Sequence, residues 1–145
     1  MAASSEAPSR DPLTRALRTL REPSYVAMRV VMGLLFGFHG LQKIFHVLFS
    51  YPIEVGSQAW IGGLIELVTG VTIAAGAFTV WSAFLASGTM AVAYVQFHWR
   101  LRLGTQLLPA INQGEAALIN AFVFLYIACR GPGRASVDGL LARRR

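Results

Sequence analysis

The longest apolar stretch of the chain covers residues 59–98 and contains one charged side chain, Glu66, before it ends at His98. A single helix of that length would measure about 60 Å, roughly twice the hydrocarbon thickness of a bilayer. The stretch must therefore fold back on itself, and residues 76–81, which begin with Gly76, offer the best turn. We predict two helices here, over residues 60–77 and 80–98.

Two further apolar segments, residues 25–45 and 112–129, have the length of helical spans. Breakers such as Pro52 and Pro109 place loops at residues 46–58 and 99–111, and Gly131-Pro132-Gly133 ends the last segment. Hydrophobic residues make up 54% of the chain and charged residues 14%, with a mean hydropathy of +0.51. This composition excludes an ordinary soluble domain. We predict an all-α, integral membrane four-helix bundle.

The basic residues indicate how the predicted bundle is oriented. Nine of the thirteen Lys and Arg residues lie in the two tails when Arg130, at the end of the last span, is counted with the second tail, and the two predicted outer loops hold two. The positive-inside rule then places both termini on the cytoplasmic side of the membrane. The chain divides into a basic arm (residues 1–23), a four-span domain (24–130) and a basic tail (131–145). We expect Arg29 to snorkel towards the cytoplasmic face.

The net charge of +6 therefore reflects topology and attraction to anionic lipid headgroups, and nucleic acid is not an expected partner. Nearly every ionisable side chain inside the spans lies towards one end of its span, and in the predicted topology these ends share the outer membrane face. Ionisable groups at such depth mark a candidate site by default. The candidate cluster consists of His39, Gln42, Lys43, Glu66, Tyr94, His98, Asn112 and Glu115.

The cluster has more than one interpretation. Lys43 can neutralise Glu66 or Glu115 in an ion-paired core without chemistry, or carboxylates beside a lysine or histidine can pass protons to a quinone headgroup. His39, His98 and the two glutamates are adequate ligands for zinc or iron, but they lack metal-site spacing and Lys43 opposes a cation, so we predict no metal. The single cysteine, Cys129, excludes an intramolecular disulfide and a CxxC redox pair.

Four short motifs occur in order along the chain. They are residues 29–43, which include Phe38-His39-Gly40-Leu41-Gln42-Lys43, then residues 63–70 with Gly63 and Glu66, residues 112–115 (Asn-Gln-Gly-Glu) and residues 131–138. Together they resemble the DoxX family of small bacterial and archaeal membrane proteins over residues 25–140, although the terminal Arg143-Arg144-Arg145 lies outside the family pattern. The resemblance implies a four-helix bundle in the inner membrane of a bacterial cell, with both ends in the cytoplasm.

The resemblance also implies a link to redox physiology. One family member looks like a subunit of a thiosulfate:quinone oxidoreductase, and an actinobacterial member joins a membrane complex with a superoxide dismutase and a thiosulfate sulfurtransferase. The family assigns no catalytic residue, so none is predicted here. The motifs to test are those that contain His39 to Lys43, Glu66 and Glu115.

Three functions follow, in decreasing order of preference. The first is a membrane subunit of a redox complex whose polar cluster lies next to quinone, with soluble or membrane partner proteins that carry the electrons. The second is a non-catalytic scaffold or assembly protein whose ion pairs only fix the bundle. The third, a solute or proton carrier, is disfavoured because the chain shows neither an internal repeat nor a broken helix. Glycine-rich helix faces also allow a homo-oligomer.

Overall fold

The computed structural model describes residues 11–48 and 53–144, and this part of the chain contains helices and turns but no strand. The predicted all-α fold is confirmed. The helices are α1 (Pro12–Phe45), α2 (Gln58–Ala75), α3 (Thr79–Ala93) continued by a π-helix (Tyr94–Trp99), a 3₁₀ turn (Gly104–Leu107), α4 (Pro109–Asn112), α5 (Glu115–Arg130) and α6 (Val137–Ala142). Residues 1–10 of the predicted arm, residues 49–52 of the first predicted loop and Arg145 lie outside the described residues.

Three helical segments are long and apolar enough to cross a membrane: α1, α2, and α3 with its π-helix. Large apolar side chains on all four long helices point away from the protein. Leu34, Val71, Phe84 and Phe122 are each 60–65% exposed. Exposed apolar surface of this extent is stable in lipid and would cause association in water. The chain is therefore a multi-pass membrane protein. The fourth apolar helix, α5, has 16 residues.

The helix ends have local causes. Asp11 accepts a hydrogen bond from the Thr14 backbone N–H at 2.8 Å and caps α1. The helix then runs through Pro23 without a break and so crosses the predicted limit between arm and membrane domain. The α2–α3 turn falls inside the predicted hinge, with Gly76 in the left-handed conformation at φ +70°. The last predicted span begins late, at Glu115, because Gln113 (φ +60°) ends α4.

Helices α1 and α2 touch through their backbones. A methyl group added at Gly33, Gly40 or Gly70 would lie less than 3.0 Å from backbone atoms of the partner helix. Small residues at such spacing let membrane helices approach closely, and the gain is van der Waals contact along the whole interface. Gly33, Gly40 and Gly70 therefore serve packing within one chain, whereas nothing in the described part of the chain lies within 4 Å of a methyl group added at Gly62.

Helices α3 and α5 form a second close pair, which alanines separate instead of glycines. Ala83, Ala86 and Ala121 are buried there, and the Ser87 hydroxyl donates a hydrogen bond to the Ala121 carbonyl at 2.8 Å. The two helix pairs meet through larger side chains. Phe36 and Phe124 have ring centroids 4.6 Å apart, and Ile73 and Ile127 are fully buried. The core is thus a thin layer between two tightly packed pairs.

Arg29 joins the C-terminal segment to the end of the bundle at which α2 terminates. Its guanidinium donates hydrogen bonds to the carbonyls of Ile73 and Ala74, the last turn of α2, and to the carbonyl of Ala135 in the tail. The residue is 1% exposed. The expectation that Arg29 snorkels to the surface is therefore wrong. Helix-end carbonyls that lack intrahelical donors take up its N–H groups instead.

Asp138 holds the same segment to the start of α3. Its carboxylate accepts hydrogen bonds from the backbone N–H groups of Phe78 and Thr79 and from the Thr79 hydroxyl, each at 2.9 Å. These groups form the N-terminus of α3, where the helix dipole favours a negative charge. Partial burial raises the pKa of Asp138, but the hydrogen bonds from Thr79 and Phe78 outweigh it, so the pKa lies below its ordinary value.

The glycine interface predicts a difference between two substitutions on one helix. Gly70→Ala should lower the free energy of unfolding by about 1–3 kcal/mol, because the new methyl group overpacks the α1 backbone. Gly62→Ala is the matched control, since nothing lies within 4 Å of an added methyl group. It should leave stability unchanged or raise it slightly through helix propensity. Unfolding in mixed micelles by a denaturing detergent measures both, and equal effects would contradict the interface.

Asp138 predicts a pH-dependent contribution from the tail. A carboxyl whose pKa is lowered on folding stabilises the protein above its unfolded pKa and loses that contribution as the pH falls through the folded value. Asp138→Ala should cost about 0.5–2 kcal/mol at neutral pH, as for other helix caps. The gap between wild type and variant should close below about pH 4, near the ordinary aspartate pKa. A gap that stays constant down to pH 2 would refute the assignment.

Candidate functional site

A groove of about 1020 Å³ runs along the exposed side of the α2–α3 hairpin, between the two helices. Its walls come from α2, α3 and the π-helix, and Lys43 of α1 and Ile53 complete it. Most of the lining is apolar, including Ile65, Phe84 and Leu85. The groove extends from Trp81 to His98, which is about 25 Å at helical rise. An apolar groove with a few polar groups is the usual form of a small-molecule site.

Lys43 and Glu66 form an ion pair on the wall of this groove. The Lys43 ammonium lies 2.5 Å from Oε1 of Glu66, and the side chains are 30% and 7% exposed. The Lys43 stem crosses α2 at Gly63, where an added methyl group would lie 2.7 Å from Lys43 Cβ. Gly63 therefore makes room for the lysine, and Glu66 follows one helical turn later to receive its charge. This geometry explains the GxxE motif.

The carboxylate of Glu66 is only half satisfied. Its second oxygen, Oε2, is buried and has no hydrogen-bond partner among residues 11–48 and 53–144. Buried polar groups are nearly always paired, and a charged group left without a partner is unfavourable. The Glu66 site thus has an acceptor to spare beside the groove.

A second polar group joins the outer end of α3 to the segment before α5. The Asn112 side-chain amide lies within hydrogen-bond reach of the Tyr94 hydroxyl (3.4 Å), and its carbonyl oxygen accepts from the Gly114 backbone N–H at 2.8 Å. The His98 ring nitrogen Nδ1 lies 3.3 Å from the Asn112 backbone carbonyl. A methyl group at Gly114 would lie 2.7 Å from the Tyr94 ring. The NxGE motif therefore contains a turn that packs against Tyr94.

The remaining candidates lie elsewhere. His39 is exposed and lines a small cavity of about 130 Å³ with Asn120 and Phe124 of α5. Glu115 is exposed at the start of α5, and Gln42 is half-buried on α1. The eight side chains predicted as one cluster thus fall into separate places, and only Lys43 and Glu66 form an ion pair.

Depth in the helices separates these groups further. Glu66 lies ten residues before Gly76 and Gly88 lies ten residues after Phe78, so the antiparallel hairpin places Glu66 at the level of Gly88. His98 is ten residues farther along α3 and its π-helix. It therefore lies about 15 Å from the level of Glu66, at the end of the π-helix. The groove therefore has an ion pair midway along it and a histidine at its rim.

The π-helix shapes that rim. It carries Phe97 and His98 on the groove side. The Gln58 side-chain amide donates a hydrogen bond to the side-chain oxygen Oε1 of Gln96, which joins the start of α2 to the π-helix. Single-turn π-segments occur often at functional sites. Among the described residues, no group of three or more His, Cys, Asp and Glu side chains could hold a metal ion.

Sequence reasoning missed the groove and the Gln58–Gln96 hydrogen bond. Both depend on the distance between α2 and α3, and hydropathy does not predict the distance between two apolar helices. It also missed the buried role of Arg29, for which the only signal was an arginine four residues before Gly33, at the start of the glycine stripe.

Comparison with known proteins agrees with this architecture. The family model for DoxX matches residues 25–99, just over half of the chain. A relative from Haemophilus influenzae (strain ATCC 51907 / DSM 11121 / KW20 / Rd), named only as an uncharacterized protein, is 32% identical over 125 residues, which cover 80% of this chain and 90% of the relative. No solved structure matches the chain. On the family match and on this identity, the chain belongs to the DoxX family.

Proposed function

We propose that this protein is the membrane subunit of a redox-associated complex, and that the α2–α3 groove binds a quinone with its headgroup beside Lys43 and Glu66. Partner proteins carry the electrons, because this chain has one cysteine and no pair that could cycle between thiol and disulfide. The observation that carries the proposal is the apolar groove with a buried ion pair on its wall.

The groove suits an isoprenoid quinone in both shape and polarity. Its length of about 25 Å exceeds a quinone ring and accommodates part of an apolar tail. The Lys43 ammonium has three N–H donors and gives one to Glu66, so further donors are free to reach a quinone oxygen. Because the groove lies on the exposed side of the α2–α3 hairpin, a ligand could enter it sideways from lipid.

The proposed arrangement in the membrane has four spans with both termini in the cytoplasm of a bacterial cell. Helix α5 would be the fourth span at about 24 Å, and bilayers adapt to a helix that is a few Å short. The basic tails support this orientation, since the only Lys or Arg residues in loops 46–58 and 99–111 are Arg100 and Arg102. Copies of the chain, or redox partners, would complete the complex.

Thiol labelling tests the orientation. In a Cys129→Ser background, Arg144→Cys places a thiol in the tail and Glu54→Cys places one in the first loop; both parent side chains are exposed. A membrane-impermeant maleimide should label Glu54→Cys in intact spheroplasts and label Arg144→Cys only after the membrane is opened. The two positions control for each other. Labelling of both from the same side would refute the three spans that the proposal places between them.

Quinone binding is tested by the unfolding midpoint of the detergent-purified protein with decylubiquinone. The midpoint should rise with ligand concentration to the extent that binding to the folded state requires, about 2.7 kcal/mol at one hundred times the dissociation constant. Lys43→Met should abolish the rise because it removes the donor beside the ring. Glu115→Gln changes an exposed carboxyl outside the groove and should keep it. An unchanged wild-type midpoint would sink the proposal.

The scaffold function remains the second candidate, and the Lys43–Glu66 contact itself favours it. Breaking a buried pair by removing one partner typically costs about 3–5 kcal/mol, whereas replacing both partners is often neutral. If the pair only fixes the bundle, Lys43→Met with Glu66→Gln should restore stability and leave redox activity of the membrane intact. A stable double variant that loses this activity would instead favour the redox subunit.

A further inference from the structure

The unpaired oxygen of Glu66 constrains what the groove can bind. The Glu66 side chain is 7% exposed, its Oε1 is paired with Lys43, and its Oε2 is buried with no donor in the described part of the chain. An ionised carboxylate can only accept hydrogen bonds. A ligand that approaches this position is therefore favoured if it brings an N–H or O–H group.

Other polar side chains around the groove are already engaged. The Thr89 hydroxyl donates to the Leu85 carbonyl at 2.9 Å, and Gln58 donates to Gln96. His98 lies at the rim, about 15 Å from the level of Glu66. No described side chain donates to Oε2, so a ligand in the groove can supply the missing donor.

From this geometry we infer that the groove binds the reduced form of its ligand, a quinol, in preference to the quinone. The inference rests on the proposed function. A quinone ring presents two carbonyl oxygens, which only accept, so one placed against Oε2 would meet another acceptor. A quinol hydroxyl donates a hydrogen bond to Oε2, and its oxygen accepts one from the Lys43 ammonium. Both members of the ion pair are then satisfied.

Access to Oε2 needs little movement. The terminal torsion of a glutamate is broad, so a partial turn of the carboxylate can bring Oε2 towards the groove while Oε1 stays beside Lys43. Gly62 and Gly88 lie close to this level on the two walls, and an added methyl group at either would meet nothing within 4 Å. The groove is therefore open to a flat ring beside Glu66, and its apolar walls continue towards Trp81 for the tail.

The test compares decylubiquinol and decylubiquinone, which share ring substituents and tail, by titration of the unfolding midpoint under argon. Wild-type protein should bind the quinol about tenfold more tightly, the factor expected for one hydrogen bond to a charged acceptor. Glu66→Gln should bring the ratio near one, because an amide can turn either a donor or an acceptor to the ligand. Glu115→Gln is the matched control and should keep the tenfold ratio.

Each outcome separates the inference from the proposed function. Equal affinities, or tighter binding of the quinone, would overturn the preference while leaving a quinone site in place. No midpoint shift with either form would overturn the proposed site and the inference with it. Should Glu66→Gln fail to fold, the wild-type ratio alone still decides the inference.

Discussion

The backbone contact between α1 and α2 is the constraint on which the candidate site depends. Gly40 and Gly70 bring the two helices within van der Waals distance of each other, and Gly63 continues the contact beneath the Lys43 stem. Only at this separation can a lysine cross the partner helix and end 2.5 Å from Glu66. The motifs around Lys43 and Glu66 are thus two halves of one geometric arrangement, in which small residues set the distance and charged residues use it.

Much of the fold could be predicted because lipid imposes simple rules on length and charge. The fold-back near Gly76 followed from the excess length of one apolar run, and the all-helical class followed from the requirement that every backbone group be paired in the membrane. The pairing of Lys43 with Glu66 was one of two pairings that the sequence allowed. Asp138 lies in the segment Ser136-Val137-Asp138-Gly139, whose composition is typical of a turn or cap, and its carboxylate caps α3.

The rest could not be predicted, because position along a helix does not give direction around it. His39 and Glu115 lie near ends of their helices and Glu66 lies midway along α2, yet His39 faces a cavity beside α5, Glu66 faces the groove and Glu115 is exposed. In a membrane, apolar residues face both lipid and protein, so hydrophobic periodicity does not mark the inner face. Arg29 escaped for a related reason: its partners are backbone carbonyls, which no side-chain pattern reveals.

Photoaffinity labelling with an azidoquinone, followed by mapping of the labelled peptides, tests the central claim most directly. A groove that holds the ring beside Glu66 predicts label on residues 58–66 and 84–93, and competition by unlabelled decylubiquinol should remove it. The chain supplies an internal control, because a shallower apolar cavity on α5 is lined by Leu118, Phe122 and Tyr126 and contains no ionisable side chain except that tyrosine. Label confined to α5, or spread evenly over the lipid-facing helices, would contradict a quinone site in the α2–α3 groove.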